Sequence, residues 1–81
     1  MSIAELLETR ERTHGTFTNN SDAFARLAKA LPIEDFDERI QYAVAGIYIK
    51  LARLHSGKNA HREHIEDIAG YAAKMLEVAD G

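Results

Sequence analysis

Two long stretches of this chain carry apolar residues at steps of three and four, and Gly57 stands between them. Phe36, Ile40, Ala43, Val44, Ile47, Leu51 and Leu54 form the first stripe, and Ile65, Ile68, Ala69, Ala72, Leu76 and Ala79 the second. This is the spacing of one face of a helix. Gly57 is a natural C-terminal stop for the first stretch, and Asn59 a natural N-cap for the second. So short a connection makes the two helices antiparallel neighbours. The pattern predicts an all-α domain of about four helices, built around a long antiparallel hairpin of helices 3 and 4. Helix 3 is expected from about Glu34 to His55. Ile40, Val44, Ile47, Leu51, Leu54, Ile65, Ile68, Ala72 and Leu76 are expected to be largely buried.

The remaining helices are shorter. Ser2 followed three residues later by Glu5 is a capping-box pattern, which starts helix 1 at Ile3 and carries it to about Arg12. The segment from Thr13 to Asn20 is β-branched, Gly-containing and Asn-rich, and reads as a loop. Helix 2 follows from Ser21 or Asp22 to Leu31, with Phe24, Leu27, Ala28 and Leu31 on one face, and Pro32 ends it. With 81 residues the chain is one domain, residues 1–81, and no cysteine offers a disulfide or a zinc thiolate. A core this small is marginal alone, which favours a self-associating surface.

Charge narrows the function classes. Ten Lys and Arg stand against 13 Asp and Glu, and the imbalance comes from Glu34, Asp35, Asp37 and Glu38 set against Arg39. A chain without clustered Lys and Arg is not expected to bind nucleic acid directly. The four acids are candidates for meeting a basic protein partner, or simply complement a helix dipole. No targeting signal and no run of about 18 apolar residues is present, so no membrane association is expected and the cytoplasm is the expected location.

Beside the stripes, a helical wheel places Arg39, Tyr42, Gly46, Lys50 and Arg53 on one flank of helix 3, and His64, Asp67 and Tyr71 on one flank of helix 4. Antiparallel pairing brings Lys50 and Arg53 level with His61 and His64. Lys50, Arg53, His64, Asp67 and Tyr71 are therefore candidates for a ligand- or anion-binding site. The competing reading is an interhelical ion pair from Lys50 or Arg53 to Glu63, Glu66 or Asp67. His61 and His64 share a face with Asp67, a known type of zinc ligand set, but no second helix adds a clear ligand, and neither a metal site nor a cofactor is expected. The outer face of helix 3 carries Ala45, Tyr48, Ile49 and Ala52 where an exposed helix should be polar. This row is the candidate interface of a homodimer, unless helix 1 or 2 covers it within one chain.

Two segments resemble a known family. They are Ser2-Ile3-Ala4-Glu5-Leu6-Leu7-Glu8-Thr9-Arg10, continuing to Thr13-His14-Gly15-Thr16-Phe17 and Asn20, and Lys50-Leu51-Ala52-Arg53-Leu54 with Ser56-Gly57, His61, His64 and Asp67-Ile68-Ala69-Gly70-Tyr71-Ala72. Over nearly the whole chain they resemble small phage and prophage proteins of unknown function, which look like compact relatives of the all-α MazG-like nucleoside triphosphate pyrophosphohydrolases. The resemblance implies magnesium held by carboxylates from two antiparallel helices, with hydrolysis between the α- and β-phosphates. Helix 4 has Glu63, Glu66 and Asp67. Helix 3 has Tyr42 and Ala45 where that pattern calls for acids, and no Asp or Glu lies between Arg39 and Arg62. Three functions remain open on these grounds. The first is a non-catalytic phage-type accessory protein that binds a host or phage macromolecule, for example to inhibit a host defence complex. The second is a pyrophosphohydrolase using Mg2+, with acids shared across chains. The third is a nucleotide-binding protein without turnover.

Overall fold

The computed structural model describes residues 2–81. Its elements are α1 (Ile3–His14), α2 (Phe17–Ala30), two 3-10 turns (Ile33–Asp35 and Glu38–Ile40), α3 (Gln41–Gly57) and α4 (Arg62–Asp80). The protein is all-helical, and α3 is its centre: α2 and α4 pack along it, and α1 meets it as well. The packed body is three helices rather than four, because α1 contributes no buried residue.

The helix boundaries follow local chemistry. Ser2 Oγ accepts from the Glu5 amide at 3.1 Å, the cap anticipated from the Ser-x-x-Glu spacing. The stretch expected to be a loop is mostly helical, since Thr16 Oγ1 accepts from the Asn19 amide and opens α2 four residues early. Gly15, at φ 76°, and the extended Thr16 separate α1 from α2. Glu34 and Asp35 do not begin a long helix. Phe36 is extended, and Asp37 turns its carboxylate onto the Arg39 amide at 2.9 Å, which splits the approach to α3 into two short turns. At the far end of α3 the left-handed residue is Lys58, at φ 54°, and not Gly57. Asn59 does not cap α4, whose N-cap position is His61.

The face of α3 that meets α2 differs from the one expected. The buried residues of α3 are Ala43, Val44, Gly46, Tyr48 and Ala52. Tyr48 lies edge-on to Phe24 with ring centroids 6.2 Å apart, and its hydroxyl donates to the Leu31 carbonyl at 2.8 Å. Ala52 is 1% exposed. Of the proposed dimer row, Tyr48 and Ala52 are thus inside the single chain, Ala45 is half-buried, and Ile49 alone is exposed. An aromatic ring beside a small residue lets α2 approach closely, and this packing outranked the aliphatic stripe. Among the nine residues expected to be buried, Val44 is. Ile40, Ile47, Leu54 and Ile68 are half-buried, and Leu51, Ile65, Ala72 and Leu76 are exposed.

No helix is long and apolar enough to cross a membrane among the described residues.

This packing sets two stability outcomes, both measurable by urea unfolding. Ala52→Leu should cost about 1–3 kcal/mol by overfilling the contact with α2. Tyr48→Phe should cost about 1 kcal/mol through the lost hydrogen bond to Leu31.

Candidate functional site

The polar centre of the molecule forms where α1 ends. The last carbonyls of a helix have no partner within it, and here three side chains from three other segments supply donors. Asn59 Nδ2 donates to the Arg12 carbonyl at 2.7 Å, His64 Nε2 to the Thr13 carbonyl at 3.2 Å, and Asn20 Nδ2 to the His14 carbonyl at 2.7 Å. Gly15 sits tightly at this point. A Cβ there would stand 2.4 Å from Ser56 Cβ and 3.0 Å from Asn20 Oδ1, so the site excludes a side chain on steric as well as conformational grounds.

Three histidines gather around the same turn. His14 and His64 have ring centroids 4.6 Å apart, His61 and His64 4.8 Å, and His14 and His61 5.8 Å, all edge-to-face. His64 is 1% exposed, the most enclosed large side chain in the protein. Since its Nε2 carries the hydrogen given to Thr13, its Nδ1 is the bare nitrogen of the neutral ring. Nδ1 has no protein partner, and neither do the buried Asn20 Oδ1 and Ser56 Oγ. Burial holds the pKa of both His14 and His64 below the usual histidine value, and the Thr13 carbonyl only partly offsets this for His64. Among the described residues, no group of three His, Cys, Asp or Glu side chains converges as a metal-binding set.

The five candidate ligand residues separate into three places. Lys50 Nζ and Asp67 Oδ2 are 2.9 Å apart, the interhelical ion pair considered as the competing reading. The hydrogen bond from Lys50 lowers the Asp67 pKa. Tyr71 lies beside this pair, with its ring against the backbone of α3 at Gly46, where a Cβ would come within 2.3 Å of the ring. His64 turns inward to α1 instead. Arg53 lines a groove with Phe17, Asn20, Phe24 and Ile49, between α2 and α3. The acidic candidates Glu34, Asp35, Asp37 and Glu38 are all exposed. Arg39 grips the Asp37 carboxylate at 2.9 and 3.1 Å and lowers its pKa to about 2.

The signals for the α1 cap were visible in part. Asn, Gly and His around a predicted helix end are capping residue types, yet which carbonyls they reach depends on contacts up to 51 residues apart in the chain. The ring of His14, at the end of α1, is half-buried. The chain matches no protein-family model, no curated protein and no solved structure.

Neutral buried histidines make folding depend on pH. Unfolded, His14 and His64 bind protons at the ordinary histidine value of 6.5; folded, they bind them only at lower pH. Stability should therefore be full above about pH 6.5 and fall as pH drops below it. Melting temperatures measured from about pH 8 to about pH 5 should show this decline. His64→Gln should flatten it while lowering the overall melting temperature. The Asp67 shift acts below 3.8, outside this window.

Proposed function

We propose that this protein is a non-catalytic accessory module that acts by binding another protein. The observation that carries this reading is the disposition of its side chains. The groups capable of chemistry are occupied in holding helices together: His64, Asn20 and Asn59 on α1, and Lys50 with Asp67 across the hairpin. Meanwhile ten large apolar side chains among the described residues face outward, up to Phe17 at 87% and Tyr42 at 85% exposed. Exposed apolar surface on this scale is a property of interaction surfaces.

The α3–α4 seam gives little support to pyrophosphate chemistry. That chemistry needs several carboxylates around a divalent ion. α3 has no acid along its length, and Asp67 is already paired with Lys50. The resemblance to small phage proteins makes a host protein, including a component of a defence complex, one class of partner, and a second copy of the chain another.

Two measurements test the proposal together. Incubation with a panel of nucleoside triphosphates and Mg2+ should release no pyrophosphate above the protein-free rate, and turnover abolished by Asp67→Asn would overturn the reading. Affinity capture from a bacterial lysate should retain a protein on the wild type that is lost when Phe17 and Ile49 are both changed to Ser. These positions are exposed, so the doubly substituted chain keeps its fold.

A further inference from the structure

α1 is the least anchored helix of the protein. Every residue from Ile3 to Arg12 is exposed, and no residue of α1 is fully buried. A helix of 12 residues is marginal in water unless one of its faces is packed. The attachment of α1 is therefore concentrated at its end, where Asn59, His64 and Asn20 donate to the carbonyls of Arg12, Thr13 and His14. Of these three donors, His64 alone can take up a proton near neutral pH. The other helices have ties of their own that do not involve α1. Tyr48 bonds to Leu31 at the end of α2, Tyr71 packs on Gly46, and Lys50 pairs with Asp67.

A proton added to His64 goes to Nδ1, since Nε2 already carries the hydrogen given to Thr13. Nδ1 is buried and has no hydrogen-bond partner. The charged ring would thus hold an enclosed donor with nothing to receive it, which is a costly state. The neighbours raise that cost. The rings of His14 and His61 lie 4.6 and 4.8 Å from that of His64, and each is a cation once protonated. From α1, Arg10 faces His14; from α3, Lys50 faces His64 and Arg53 faces His14. α2 brings Asn20, which is neutral. The acids on α4 are already engaged or lie at the rim: Asp67 is held by Lys50, and Glu63 stands 3.9 Å from His61. Neither bonds to His64 Nδ1.

We propose that the three histidines form a proton-operated latch: on acidification His64 lets go of the Thr13 carbonyl, and α1 leaves the body and unwinds while α2, α3 and α4 stay packed. Opening at this point gives the His64 and His14 rings to water, where Nδ1–H finds an acceptor. Its cost is three hydrogen bonds to carbonyls that water then takes over. It sacrifices no buried side chain of α1, so it precedes unfolding of the remaining helices. The sign follows from the neutral state of the attached ring. The latch is closed above 6.5 and opens as pH falls below it, because the released histidines bind protons at their ordinary value and the attached ones only lower. Release uncovers His64, Asn20 and Ser56 on the body and frees the row Ile3, Leu6 and Leu7 from its fixed position. Protonation of clustered histidines is a known way to bias a two-state element.

The latch goes beyond the binding-module reading and does not depend on it. Nuclear magnetic resonance on the whole chain, titrated from about pH 8 to about pH 5, tests it. The His64 ring signals should titrate with a midpoint below 6.5, and the Cα shifts of α1 should move to coil values with that same midpoint. The Cα shifts of α2, α3 and α4 should stay helical throughout. His64→Gln keeps a side-chain N–H donor but takes no proton, so its α1 should show no such transition. His55→Gln, at an exposed position on α3, should leave the transition unchanged. α1 shifts that stay helical while His64 titrates would overturn the proposal. So would loss of all four helices together, or a His64→Gln chain whose α1 still unwinds on acidification. Should that variant fail to fold, the wild-type spectra decide alone, since they separate release of α1 from general unfolding.

Discussion

The C-terminal turn of α1 is the constraint that the rest of the arrangement depends on. α1 buries no residue fully and meets α3 only through limited packing. Its last carbonyls hold it, because Arg12, Thr13 and His14 each accept from a different segment of the chain. These bonds draw α2, the α3–α4 connection and α4 to one point. They also account for Gly15, which must leave space for Ser56, and for the burial of His64. A buried, neutral histidine as a cap makes that point sensitive to protons as well as to packing.

The second organising contact is the seat of Tyr48 against α2. A tyrosine can bury its ring only where its hydroxyl finds a partner, and the Leu31 carbonyl, at the end of α2, is that partner. Once the Tyr48–Ala52 side of α3 is turned to α2, and the Gly46–Lys50 side to α4, the aliphatic side of α3 is left between them. The same rotation buries Ala43 and Val44, leaves Ile40, Ile47 and Leu54 half-buried, and exposes Leu51.

Polar and apolar groups are thereby separated on the molecule. The polar groups converge at the end of α1 and at the Lys50–Asp67 pair, where they fasten helices to one another. The exposed apolar groups are spread over α1 (Ile3, Leu6 and Leu7), Phe17, Leu31, α3 and α4. The Lys50 side chain is mostly enclosed and the Asp67 carboxylate partly exposed, and their pairing across the hairpin fixes the register of α4 on α3.

The sequence by itself determined the helices, because their signals are local: periodic apolar residues, Ser2 with Glu5, Pro32, and the break after Gly57. Even here the short-range chemistry of Thr16 and Asp37 moved two boundaries, since a single side-chain cap decides where a helix begins. Pairing of Lys50 with Asp67 was among the readings open from spacing alone, because two antiparallel helices joined by a short turn have a nearly fixed register. Which face of α3 turns inward was decided only by tertiary structure. Periodicity reports that a face is apolar but not what covers it, and on α3 two apolar faces competed. The face with an aromatic ring, a hydroxyl partner and a small neighbour packed inside with Ala43 and Val44, and the rest of the aliphatic face was left half-buried. The capping of α1 by Asn20, Asn59 and His64 was likewise beyond the sequence. Each donor lies far along the chain from the carbonyl it reaches or in a different element, and only the folded arrangement brings them within hydrogen-bonding distance.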